Sequence, residues 1–127
     1  MVGYTGGVYD LFHIGHLNLL KKAKSLCDYL IVAVSTDECA EYKGYKPIIP
    51  FKQRLEIIKS IKYVDKVIAQ DSRDKYKAWK EFKYDMLFVG DDWDFSEYEK
   101  KGINVVYLPY TKGISSSILR KKLNDRI

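Results

Sequence analysis

Gly6-Gly7-Val8-Tyr9-Asp10-Leu11-Phe12-His13-Ile14-Gly15-His16 is the stretch on which the reading of this chain turns. It follows a short apolar run, Met1-Val2-Gly3-Tyr4, suited to a first strand. It leads into Leu19, Leu20, Ala23, Leu26 and Cys27, which fall on one face of a helix. Strand, glycine turn, two histidines and helix, in that order, describe an open α/β sheet. In such sheets ligands gather beyond the carboxyl end of a strand and beside a helix N-terminus. Glycine there lets the backbone approach a phosphate, because no Cβ intervenes. His13 and His16 share one face if both lie in the first helical turn. The pair has three possible uses: contacting phosphate, capping the helix, or binding a metal. The flanking glycines favour phosphate, and His-x-x-His alone lacks the further ligands a metal site needs.

The rest of the chain alternates in the same way. Tyr29-Leu30-Ile31-Val32-Ala33-Val34 is a continuous apolar run, as in a strand covered on both faces. Ser35-Thr36-Asp37-Glu38 reads as a loop, and Lys43-Gly44-Tyr45-Lys46-Pro47 as a basic turn. A helix starting near Pro50 carries Phe51, Leu55, Ile58 and Ile61. Val64–Ala69 is a third strand, and a helix over 72–82 turns Trp79 and Phe82 inward. Asp85–Val89 is a fourth strand, ending at Gly90-Asp91-Asp92-Trp93. A short helix over 96–101 stops at Gly102, Asn104–Leu108 is a fifth strand, and Ser115 is placed to cap a last helix carrying Ile118, Leu119 and Leu123. The pattern predicts one α/β domain over residues 1–127, Rossmann-like and doubly wound, with about five parallel strands flanked by helices. Four loops at strand ends carry polar or glycine-rich sequence: 6–16, 35–46, 90–93 and 109–117.

Composition sets the bounds. The 127 residues are 46% hydrophobic and 31% charged, ordinary for a globular chain. No apolar run reaches the ~18 residues of a membrane span, and no secretory leader is evident, so a cytoplasmic protein with no membrane partner is expected. Cys27, read on the apolar face of the first helix, is expected as a buried thiol rather than a disulfide partner, and Cys39 makes no zinc spacing with it. The net charge of +5 comes from lysines spread along the chain, without the cluster that nucleic-acid binding prefers. A small polyanionic substrate accounts for it as well.

Gly7-Val8-Tyr9-Asp10-Leu11-Phe12-His13-Ile14-Gly15-His16 resembles the GxxD–HxGH signature of the nucleotidyltransferase superfamily. Tyr110-Thr111-Lys112-Gly113-Ile114-Ser115-Ser116-Ser117 resembles the RTxGIST(S/T) motif of its cytidylyltransferase branch. Lys62-Tyr63-Val64-Asp65 is similar to that branch's RYVD, and Gly90-Asp91-Asp92-Trp93 to the GDDW of bacterial glycerol-3-phosphate cytidylyltransferases. Two positions depart from the pattern: Tyr110 and Lys62 stand where the family has arginines. Tyrosine supplies no cation, and lysine only a point charge without the bidentate fork.

The resemblance implies transfer of a cytidylyl group from CTP, with Mg²⁺, to a small alcohol phosphate, glycerol 3-phosphate first among them, by a homodimer. It implies catalytic roles for His13, His16 and Lys43. Nucleotide contacts fall to Gly7, Val8, Tyr9, Asp10, Gly15, Lys46, Asp92, Tyr110, Thr111, Gly113, Ile114, Ser115, Ser116 and Ser117. Acceptor contacts fall to Lys43, Lys75 and Arg54, and no residues are assigned to a dedicated metal site. Asp10 is expected to fix the loop or a metal-linked water. Asp92 is read either as an acceptor for the cytosine amino group or as a helix cap. Arg54 is read either on a phosphate or on a carboxylate. Ethanolamine phosphate or another short polyol or amino-alcohol phosphate remains open as acceptor. An adenylyltransferase, a nucleotide sensor and an RNA-binding module remain open as alternative functions.

Overall fold

A computed structural model gives the fold and describes residues 1–41, 44, 46–91 and 94–126. The strands are β1 (Val2–Gly7), β2 (Tyr29–Ser35), β3 (Lys66–Gln70), β4 (Met86–Gly90) and β5 (Val105–Leu108). All pair in parallel, in the order β3-β2-β1-β4-β5. The helices are α1 (Ile14–Ser25), α2 (Asp37–Ala40), α3 (Phe51–Lys59), α4 (Lys75–Phe82), α5 (Ser96–Lys100) and α6 (Ser116–Arg126). The chain is a single α/β domain, five parallel strands flanked by helices, as the alternation predicts.

Side chains of successive strand residues point to opposite faces, and both faces are covered. Leu30, Val32 and Val34 join Leu20 and Ala23 of α1 and Ile58 of α3 on one side. Ile31 and Ala33 join Tyr4, Leu87 and Val89 on the other, against Trp79 and Phe82 of α4 and Tyr98 of α5. This is why residues 30–34 form an unbroken apolar run. The strand order reverses between β1 and β4, and a crevice at such a point is the expected ligand site of an open α/β sheet.

Several boundaries differ from the pattern, each for a local reason. Thr36 accepts the Cys39 N–H on its hydroxyl and starts the short helix α2 inside the stretch expected as a loop. The third strand starts only at Lys66, because the Val64 N–H closes a turn on Ile61 and Asp65 is bonded to Leu30. Asp74 caps α4 through the Tyr76 and Lys77 amides, so that helix opens at Lys75 rather than 72. Helix α1 ends at Ser25 with Leu26 as C-cap, which leaves Cys27 beyond it, half-buried against Gly3 and Phe88 rather than on its apolar face. Burial raises the Cys27 thiol pKa. No helix among the described residues is long and apolar enough to cross a membrane.

Candidate active site

The loop after β1 is held in a conformation its residues would not choose. Tyr9 and Leu11 both have positive φ, 57° and 51°, at a cost on the order of 1–3 kcal/mol each. Asp10 lies between them, 1% exposed. Its carboxylate accepts the Ile48 and Ile49 amides, both at 2.9 Å, and faces Arg120 at 3.4 Å. The Asp10 carbonyl accepts the Ser116 hydroxyl at 2.5 Å. One residue further back, the Val8 carbonyl accepts from Arg54 at 2.8 Å. Bonds of this kind contribute about 1 kcal/mol each and more with a charged partner, enough together to hold the strained turn.

That turn delivers His13 to the N-cap of α1 and His16 to its third residue. His13 Nδ1 accepts the Gly15 N–H at 3.0 Å, and His16 Nδ1 accepts the His13 N–H at 3.2 Å. The two imidazoles form a reciprocal capping box and stack with centroids 3.8 Å apart. Capping and function are therefore not alternatives here. With both Nδ1 atoms accepting, each neutral ring carries its proton on Nε2, so each presents an N–H away from the helix. His13 Nε2 is shielded from water and meets no partner among the described residues. A buried donor left unpaired costs about 1–3 kcal/mol; a ligand oxygen would satisfy it.

Burial also lowers the His13 pKa from its ordinary value near 6.5. A histidine whose folded-state pKa is depressed adds stability in its neutral form, and that stability is lost as pH falls below the unfolded value. Protonation at Nδ1 would also remove the acceptor for Gly15. Native stability should therefore decline below about pH 6.5 in wild type, and more gently in His13→Asn, with urea midpoints measured at pH 7.5 and 5.5. Equal slopes would dissociate the imidazole from the decline.

A second helix N-terminus closes on the same turn. Asn18 Nδ2 donates to the Thr111 hydroxyl at 2.9 Å, drawing the loop after β5 onto α1. Gly113 turns that loop at φ +81°. Ser115 then caps α6 by accepting the Ile118 N–H at 3.1 Å, Ser116 bonds to Asp10, and Ser117 accepts from Arg120 at 3.2 Å. Ile114 packs near Gly15. Tyr110 lies across Gly90 at the end of β4, where an added Cβ would run into its ring, and the ring remains half exposed. The loops after β1, β4 and β5 thus share one rim.

Arg54 belongs to the frame. It is 0% exposed and donates to the carbonyls of Ile49, Val8 and Ser35 at 2.7–2.8 Å and to the Asp37 carboxylate at 2.6 Å. Of its two expected roles the structure gives it the carboxylate, because the guanidinium is buried beneath the loops. Lys62 precedes β3 at the amino edge of the sheet, opposite these loops, with its ammonium over the Tyr63 ring. Asp65 beside it accepts from Leu30 and Lys24, both at 2.7 Å, and those bonds hold its pKa below the ordinary carboxylate value against the opposing effect of desolvation. Lys46 is exposed. Lys43 and Asp92, expected at the phosphates and the base, lie outside the described residues. Asn18, Ser35, Gln70 and Arg120 were absent from the expected set. Gln70 and Ser35 had only one signal, a polar residue closing an apolar strand.

Residues 4–122 match the model of the family described as cytidylyltransferase-like. The chain belongs to that family. A glycerol-3-phosphate cytidylyltransferase of Bacillus subtilis is 39% identical over 127 residues, covering 94% of each chain. An FAD synthase of Thermococcus sibiricus is 38% identical over 116 residues, covering 84% of this chain and 78% of its own. Among solved structures, a lipopolysaccharide core biosynthesis protein from Thermoplasma volcanium superposes with a TM-score of 0.76 at 33% identity, covering 90% of this chain and 98% of that one. This member of the cytidylyltransferase-like family therefore keeps the family fold along nearly all its length.

Proposed function

We propose that this protein transfers the cytidylyl group of CTP to glycerol 3-phosphate, giving CDP-glycerol and pyrophosphate. The paired histidine donors carry the transfer chemistry: both rings are fixed through Nδ1, and His13 Nε2 is buried with no partner among the described residues. The acceptor phosphate is itself the nucleophile. With a second pKa near ~6 it is largely dianionic at neutral pH, so no general base is needed. One of its oxygens bonds to the α-phosphorus while the bond from that phosphorus to the pyrophosphate oxygen breaks. Positioning and charge stabilisation then set the rate.

His13 and His16 donate to oxygens of the phosphoryl group in transfer. The first-turn amides of α6 meet the triphosphate, as helix N-termini meet anions. Ser115 and Ser117 help there, since each uses its oxygen as an acceptor and keeps its proton to donate. Tyr110 offers the base an aromatic face in place of a cation. Lys43 and Lys46 offset phosphate charge, and Asp10 acts through the loop rather than on the substrate. Mg²⁺ brought by the nucleotide would be held mainly by phosphate and water oxygens and would offset charge on the triphosphate. Among the described residues no three His, Cys, Asp or Glu side chains are grouped to hold an ion.

CTP and glycerol 3-phosphate are supported by glycerol-3-phosphate cytidylyltransferases 38–39% identical to this chain and by Gly90-Asp91-Asp92-Trp93, which resembles their GDDW. A second reading, ATP with a flavin phosphate as acceptor, has support from the FAD synthases. Pyrophosphate release measured for CTP and ATP, each against glycerol 3-phosphate, ethanolamine phosphate and FMN, separates the two. Turnover of CTP with glycerol 3-phosphate at least ~100-fold above the other pairs is expected, a margin within the reach of polar substrate discrimination. Preference for ATP with FMN would replace this reading with the second.

A further inference from the structure

Lys75 opens α4, and its ammonium does not swing free on its four-carbon stem. Nζ donates to Gln70 Oε1 at 2.9 Å. Gln70 closes β3, is 8% exposed, and passes its other end to the Ser35 hydroxyl at 3.1 Å. Ser35 closes β2 opposite Gln70 in register, and its carbonyl is one of those held by Arg54. The buried amide is thus fixed at one end to the frame and presents its oxygen to Lys75. Both groups lie flat on Gly6: a Cβ there would meet the Gln70 oxygen and fall 2.6 Å from Lys75 Nζ. Only glycine leaves that space open.

Gln70 is a neutral amide, which orients an ammonium without adding negative charge of its own. The place also matters. Gly6 faces the same side of the sheet as Tyr4, the side covered by α4, whereas α1 packs on the opposite side. The histidines at the N-terminus of α1 therefore reach the first loop from one side, where Ile114, just ahead of α6, packs near Gly15, and Lys75 reaches the loop's base from the other. In phosphoryl-type transfer the attacking and leaving oxygens stand roughly in line across the phosphorus. A triphosphate seated on the α1 and α6 side calls for an acceptor phosphate from the α4 side.

We infer that Gln70 is a positioning residue for the acceptor. It fixes the Lys75 ammonium over Gly6, and that ammonium takes the phosphate of the incoming phosphate monoester. The inference rests on the proposed transfer reaction for the direction of attack, while the ammonium's placement rests on geometry alone.

The test is a cycle of Gln70→Met, Lys75→Met and the double variant, with Gln70→Asn, too short to span Ser35 and Lys75, as a second probe in case the methionine perturbs folding. Each Gln70 variant should raise the KM for glycerol 3-phosphate about tenfold, as loss of a bond to a charged group does. The KM for CTP should stay within about twofold, since Lys75 lies away from the triphosphate. In the Lys75→Met background the effect of Gln70→Met should vanish, because a residue acting through Lys75 has nothing left to act on. An undiminished effect there, an unchanged acceptor KM, or an equal rise in the CTP KM would overturn the inference. Calorimetric titration of the same proteins with glycerol 3-phosphate and with FMN separates the two failures. A wild type that releases no pyrophosphate from CTP defeats the reaction, yet binding weakened about tenfold in Gln70→Met still supports the placement. A wild type that binds neither phosphate monoester, or binds equally well in every variant, overturns it.

Discussion

His13→Asn and His16→Gln should each lower pyrophosphate release by at least ~100-fold and leave stability within about 1 kcal/mol of wild type. The choice of residues follows from the capping box. Asparagine at an N-cap accepts first-turn amides as well as any side chain, and glutamine at the third helical position can return a bond to the cap backbone. Both variants keep what Nδ1 does for α1 and delete what Nε2 presents to the ligand. Loss of one preorganised donor to a developing charge typically costs this much in turnover. His13→Ala should lose the same activity and, in addition, about 1 kcal/mol of stability with the cap. Denaturant midpoints and single-turnover rates on the set distinguish the two effects. Near-normal turnover in both cap-preserving variants would remove the histidines from the chemistry.

Arg54→Met should destabilise the protein by about 3–5 kcal/mol, the range for breaking a buried charged network by removing one partner. Methionine fills much of the volume and donates nothing. The carbonyls of Val8, Ser35 and Ile49 would each lose a donor, and Asp37 its counter-charge. Asp37 is partly exposed, so water repays some of that loss; the inward-facing Val8 and Ser35 carbonyls have no such recourse. Arg54→Lys keeps the charge but cannot reach four acceptors in a fork, and should fall between wild type and Arg54→Met. Urea unfolding at pH 7 gives the numbers. A loss below about 1 kcal/mol for Arg54→Met would show that the network is no stronger than an exposed pair.

The fold was legible because its strongest signals are local. A strand buried on both faces writes itself as an apolar run, and residues 30–34 and 86–89 do so. Boundaries were less legible, since caps such as Thr36 and Asp74 act through a single side-chain oxygen that a periodic pattern does not register. In the site, the histidines and the glycine-serine turn stood out because their residue types are uncommon together. That both rings cap α1 through Nδ1 did not, because which ring nitrogen caps the helix depends on backbone geometry. Arg54 shows the harder limit. Its charge suited a phosphate or a carboxylate equally, and what decides between them, acceptors 5 to 46 positions away in sequence, is not written beside it. Gln70 and Asn18 were invisible for the same reason: a polar residue's partner across the sheet leaves no mark on its neighbours.

The strand order also divides the cleft mechanically. The histidine loop springs from β1, flanked on both sides by paired strands and bolted at Val8 and Asp10. Lys75, the first residue of α4, follows β3, and Tyr110 follows β5, the two margins of the sheet, each with one neighbour. The number of strands flanking each loop therefore falls from the centre of the rim outward. If the transfer proposed above runs here, the centre would hold the phosphorus, and accommodation to a larger or smaller acceptor or base would fall to the margins, where fewer strand pairings anchor the chain.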